Sequence, residues 1–263
     1  MLAEAEPRAA SATAVSNAPA LRIEGLGKRY GALPVLDGLD LEVAPGAAFG
    51  LIGVNGAGKT TLIKCVLDLC ASDAGRIEIF GASNRLPAAR LRLGYVPERF
   101  LPPHYLRCRE FLELALALAG ERFARGAAQA LLAELELDPD VLERPVRQLS
   151  KGMTQKLGLA VCFLVPRDLY VLDEPMSDLD PASRVAVKSV LVRLVAGGRT
   201  LFFTSHVLAD VEELCSSIAV LDRGAIRFLG TPGELCERYG ELRLERAFIR
   251  CIKGHGEQPA THG

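Results

Sequence analysis

The segment that most constrains this chain is GVNGAGKTT, Gly53 to Thr61. It follows directly on the apolar run AAFGLIG and leads into a helix-type segment from about Lys59 to Leu69. Its spacing is G-x-x-x-x-G-K-[ST], with Gly53, Gly58, Lys59 and Thr60 in the fixed positions. Glycines let successive backbone N–H groups turn inward and approach a polyphosphate, and Asn55, Gly56, Ala57 and Thr61 complete that cradle. The helix that starts at the loop points its positive dipole end at the same place. Lys59 adds a full charge for the β and γ oxygens, and Thr60 offers a hydroxyl to Mg²⁺. The expected ligand is therefore Mg-ATP or a related nucleotide.

A second segment carries acids where an apolar strand should not. LYVLDEP, Leu169 to Pro175, ends in Asp173 and Glu174. Two adjacent acids fit such a strand only at its carboxyl end, which is where open α/β sheets bind ligands. Neighbouring strand residues point to opposite sides, so the two can divide the work. Asp173 is expected to hold Mg²⁺ and Glu174 to orient or deprotonate an attacking water. His206 closes the next strand, in TLFFTSH, and is expected to donate to the γ-phosphate.

Short β-type runs alternate with helix-type runs, which predicts an α/β fold with a mainly parallel sheet. LRIEGL from Leu21 and LDLEV from Leu39 alternate as an antiparallel β subdomain would. From about residue 100 to 165 Leu and Ala dominate at helical spacing, which predicts an inserted helical subdomain. Within it Phe111, Leu114, Ala115 and Leu118 are expected to form one buried face. SIAVLDRG and AIRFLG read as a hairpin through Gly224. Residues 1–20 read as a disordered extension without the basic start and apolar run of a signal peptide, and residues 251–263 as a flexible tail. The main domain is expected over 21–250.

Charge and cysteine usage narrow the function. With 31 basic and 32 acidic residues the net charge is -1, so no nucleic-acid partner is expected. The 7 cysteines are scattered, with no C-x-x-C pair, which suits reduced thiols in a cytosolic protein. The most apolar stretch, FLELALALAG, is too short to cross a membrane and carries Glu113.

Together these residues resemble the ATP-binding cassette family, over roughly Leu21 to Arg238. The deciding segment is LSKGMTQ, Leu149 to Gln155, upstream of the acids and similar to the family signature LSGGQ. The resemblance implies a phosphate-loop nucleotide hydrolase fold and two chains head to tail, as a homodimer or with a second cassette ATPase. Ser150 and Gly152 would then cap the γ-phosphate held by the other chain. It implies that Tyr30 in KRYG stacks on adenine, and that SDLD, Ser177 to Asp180, crosses the dimer interface. It also implies a separate multi-span membrane permease as partner, which places this chain peripherally on the cytoplasmic face. FLPPHY, Phe100 to Tyr105, lies where the family receives a short helix of that permease, so Phe100 and Tyr105 are expected to dock it.

Four positions depart from the family pattern. Lys151 replaces a signature glycine, Met153 a glutamine, and Asp178 a loop glycine; Glu98 in GYVPER stands where the lid glutamine binds Mg²⁺. A glutamate still offers an oxygen to a hard cation. YVPE with LSKGM resembles the bacterial export-type, permease-associated branch. A DNA-maintenance ATPase would insert a long coiled coil between Lys59 and Asp173, and no heptads are present. A tandem translation-type factor would carry two phosphate loops, and there is one. A cassette that drives a membrane complex mechanically, without solute transport, stays open as an alternative.

Overall fold

The computed structural model describes residues 18–254, so 1–17 of the expected extension (1–20) and 255–263 of the expected tail (251–263) lie outside the described residues. β1 (Leu21–Tyr30) and β2 (Leu33–Val43) form an antiparallel pair. They are followed by β3 (Ala48–Ile52), α1 (Lys59–Val66), β4 (Ala74–Ile79), β5 (Ala82–Ser83), α2 (Pro87–Arg90) and β6 (Leu93–Val96). A run of helices comes next: α3 (Cys108–Leu118), α4 (Arg125–Glu134), two 3-10 turns at Pro139–Glu143 and Val146–Gln148, and α5 (Lys151–Leu164). The chain closes with β7 (Leu169–Leu172), α6 (Pro181–Ala196), β8 (Thr200–Thr204), α7 (Leu208–Leu214), β9 (Ser217–Asp222), β10 (Ala225–Gly230), α8 (Pro232–Tyr239) and α9 (Leu244–Lys253).

Two sheets result, as the alternation of the sequence predicts. One is antiparallel, in the order β2-β1-β4-β5. The other runs β10-β9-β3-β8-β7-β6, parallel except for the edge strand β10. The parallel strands are buried on both faces, which is why they read as unbroken apolar runs. Period-two geometry then divides their side chains between two cores. Phe49, Leu51, Val171 and Phe202 face the core shared with the antiparallel sheet and α1. Ile52, Tyr170, Leu172 and Phe203 face the core shared with the helical insertion. The rings of Phe49 and Phe202 stack 5.7 Å apart, fixing β3 beside β8. The carboxyl ends of β3, β7 and β8 come out on one edge, directly beneath the loop that begins at Gly53.

Several expectations are corrected. α1 stops at Val66, short of Leu69, because Asp68 turns into left-handed conformation at φ 56° and ends the helix. In α3 the buried residues are Cys108, Leu112 and Leu116; Leu114 and Leu118 are exposed. Leucines at every second position gave the sequence two apolar faces, and packing against α5 selected the other one. Phe100 is half-buried: its ring fills the space a side chain on Gly158 would need and lies 5.8 Å from Phe111. The chain is also folded beyond both expected boundaries. Ala20 is fully buried and its N–H donates to Val43 O at 2.8 Å. α9 continues to Lys253, burying Leu244, Ala247 and Cys251 at helical spacing.

All seven cysteines are free. Burial pushes the Cys162 thiol up to about 12 and those of Cys65 and Cys108 up to about 11, so none of the three is a nucleophile at neutral pH.

Candidate nucleotide site

The loop after β3 owes its shape to two glycines in particular. A Cβ on Gly53 would stand 2.3 Å from the Leu221 carbonyl oxygen. Gly58 has φ 111°, and a Cβ there would meet Leu36 at 2.9 Å and Val35 O at 3.0 Å. The loop therefore lies close against β2 and β9, and its residues Val54 to Thr61 line a cavity of about 600 Å³. One wall of that cavity is the backbone from Asn55 to Thr61. Opposite stand Glu98, Asp173, Glu174 and His206.

Lys59 is buried, and its ammonium donates to Gly53 O at 2.7 Å and to Val54 O at 3.4 Å. It has no carboxylate partner among the described residues. A buried cation held only by neutral carbonyls keeps most of its charge for an anion placed over the loop. Thr60, one residue further into α1, donates from Oγ1 to Asp173 Oδ2 at 3.2 Å.

Asp173 is 2% exposed and receives only hydroxyl donors: Thr60, and Thr204 Oγ1 to Oδ1 at 2.7 Å. A buried carboxylate with two neutral partners and no cation is a fitting ligand for a hard divalent ion, and Thr60 supplies a second oxygen beside it. Glu98 is exposed and lines the same cavity.

Glu174 sits at φ 49°, a left-handed backbone that costs a non-glycine residue roughly 1 kcal/mol. The turn is held by its N–H, which donates to Thr204 Oγ1 at 2.8 Å. Its carboxylate accepts from the His206 backbone N–H at 3.2 Å and contacts His206 Nδ1 at 2.8 Å. A carboxylate can only accept, so Nδ1 carries the proton. His206 is thus placed against Glu174 through Nδ1, and in that tautomer Nε2 can donate only as the imidazolium.

Thr204 is the residue that sequence reasoning missed. Its hydroxyl donates to Asp173 and accepts from Glu174, fixing both acids from β8. In TLFFTSH it reads as an ordinary β-branched strand residue, and only its place at the strand's carboxyl end hinted at more. Thr204→Val should keep the shape while leaving the Glu174 N–H unpaired. The expected cost is about 1–3 kcal/mol of stability and a fall in turnover of at least about tenfold. Urea unfolding and steady-state phosphate release measure the two; no change in either removes Thr204 from the site.

Four expected residues stand outside the lining of this cavity, one of them Gly53, which lies against Leu221 at the start of the loop. Tyr30 is half exposed, with its hydroxyl 3.5 Å from Cys70 Sγ and its ring 5.4 Å from the Lys28 ammonium. It borders the loop at Thr61 without lining the cavity. Ser150 caps α5, its Oγ accepting from Met153 N at 3.2 Å. Ser150 and Gly152 line a separate cleft with Lys151, Asp178 and Asp180, which shares no residue with the nucleotide cavity. Asp178 has φ 60°, which explains why glycine is usual there.

The ABC transporter family model matches residues 36–177. Daunorubicin resistance ATP-binding protein DrrA3 of Streptomyces coeruleorubidus is 39% identical over 230 residues, covering 86% of this chain and 72% of that protein. Nod factor export ATP-binding protein I of Ralstonia nicotianae is 37% identical over 232 residues, covering 84% and 70%. Among solved structures, the ATP-binding subunit of an ABC transporter superposes with TM-score 0.80 at 29% identity, covering 88% of this chain and 98% of the other.

Proposed function

Because this chain belongs to the ABC transporter family, as an ATP-binding and ATP-hydrolysing subunit, we propose that two copies enclose two Mg-ATP and drive a separate membrane-spanning subunit in export. One observation carries the reading. Phosphate loop, acids and histidine converge on one cavity, while Ser150 and Gly152 of the same chain line another cleft. A single copy thus has one half of an ATP site at each of two places. A head-to-tail pair completes both, each Ser150 hydroxyl and Gly152 N–H meeting the γ-phosphate on the other copy's loop. Pairing with a different cassette ATPase would complete them equally.

In this reading Lys59 and the loop from Asn55 to Thr61 hold the phosphates. Thr60 and Asp173, with Glu98 at the rim, would hold Mg²⁺, which would supply charge neutralisation for the phosphates. Glu174 accepts the proton of the attacking water, and His206 keeps its carboxylate aimed. Tyr30, beside Thr61, offers its ring face to adenine. ATP binds both halves at once and so favours the closed pair; hydrolysis removes that differential contact and reopens it.

In this reading the membrane-spanning part is a separate subunit; among the described residues no helix is long and apolar enough to cross a membrane. The side chains that would meet it on the helical insertion are Leu101, 88% exposed, and Tyr105, 72% exposed. An apolar surface of this kind suits a short amphipathic helix. Such docking would hold the chain on the cytoplasmic face of the membrane. Export as the direction is supported by the names of the relatives, drug resistance and Nod factor export.

The purified chain should release phosphate from ATP, and EDTA should abolish the release. Glu98→Gln should raise the Mg²⁺ concentration for half-maximal rate by about threefold or more, since a carboxylate binds the hard ion more strongly than an amide. Metal-independent turnover contradicts the metal site at Thr60 and Asp173, and an unchanged Mg²⁺ dependence removes Glu98 from it.

A further inference from the structure

The phosphate loop has an outer side as well. A cleft of about 600 Å³ runs there between Val54–Ala57 and the last turn of α9. Arg223, in the turn between β9 and β10, and Lys253, at the end of α9, both line it. Both are exposed, and neither side chain has a partner among the described residues. The carboxylate in the cleft, Asp222, is buried and lies 3.7 Å from Arg227, so the open charge of the cleft is positive.

Asp178 is the complementary group. It is exposed and likewise has no side-chain partner among the described residues. The nearby Asp180 is committed, accepting from Ser183 N at 3.0 Å and Ser183 Oγ at 2.6 Å. The Asp178 carbonyl oxygen lies 3.1 Å from where a Cβ on Gly152 would stand, so Asp178 is seated against the Ser150–Gly152 segment. Both Asp178 (φ 60°) and Arg223 (φ 48°) hold left-handed backbone that glycine adopts at lower cost. What each side chain adds at its position is a charge.

When Ser150 and Gly152 of one copy close over the loop of another, Asp178 travels with them to the edge of that loop. We propose that Arg223 and Lys253 form a cationic seat for Asp178 of a second copy of this chain, making an ion pair across the closed interface. The proposal rests on the head-to-tail pairing described above. The seat selects a like copy, because a partner with glycine in that loop position brings no acid to it.

The full-length chain with Glu174→Gln, titrated with Mg-ATP and followed by sedimentation, tests this. Asp178→Lys should raise the ATP concentration for half-dimerisation about tenfold, and Arg223→Glu with Lys253→Glu should do the same. Combining all three reverses both charges and should return the midpoint to within about threefold of the Glu174→Gln parent. If the parent dimerises and the charge reversals leave its midpoint unchanged, or the swap fails to restore it, the seat is wrong and the pairing stands. If the parent stays monomeric at saturating Mg-ATP, the pairing itself falls, and the seat with it.

Discussion

Glu174→Gln is expected to slow phosphate release by about 10²–10⁴, the contribution of a positioned general base, while nucleotide affinity stays within about threefold. The substitution keeps the side chain's length and shape. An amide oxygen still accepts from the His206 N–H groups, and the backbone bond from Glu174 N to Thr204 Oγ1 is untouched. What is lost is the capacity to take a proton from water. Turnover falls while binding persists, so the ATP-bound pair should accumulate. Single-turnover hydrolysis and equilibrium nucleotide binding separate the two effects. Wild-type hydrolysis in this variant would remove Glu174 from the chemistry.

Lys59→Ala should act one step earlier, by removing nucleotide binding. The Lys59 ammonium is the cation built into the loop, buried and held by Gly53 O and Val54 O. Each charge-assisted hydrogen bond it makes to phosphate is worth about 1.5–3 kcal/mol, so affinity should fall by roughly tenfold to more than a hundredfold. The Gly53 carbonyl also loses its donor, which predicts a lower melting temperature without nucleotide. Isothermal titration with ATP measures the first effect and thermal unfolding the second. An unchanged ATP affinity would mean that the loop binds phosphate through its amides alone.

Much of this site was legible in the sequence because its chemistry is local in the chain. Gly53, Gly58, Lys59 and Thr60 lie within eight residues, and Asp173 and Glu174 are adjacent at the end of an apolar strand. The features that escaped notice depend on what packs against what. Thr204 is ordinary in its own strand, and its role exists only because β8 lies beside β7. The buried face of α3 could not be read from leucines at positions 112, 114, 116 and 118, since both faces were apolar. Phe100 looked like a surface ring between a lid and two prolines, yet Gly158 on α5 opens the space that its ring fills. α9 was missed in part because Gly254 and the polar residues after it suggested an earlier end than Lys253.

The central claim is that each ATP site is completed by the other copy, and mixing two inactive variants tests it most directly. A pair of Lys59→Ala chains lacks the lysine in both sites, and a pair of Ser150→Ala chains lacks the serine in both. A mixed pair carries one site with both defects and one with neither. Equal amounts of the two variants, co-expressed and purified together, should therefore recover about a quarter of the wild-type ATPase rate, since half the pairs are mixed and one of their two sites is intact. Recovery to that level supports completion in trans. A mixture no more active than the two variants measured separately would contradict it, and would place Ser150 in its own chain's site.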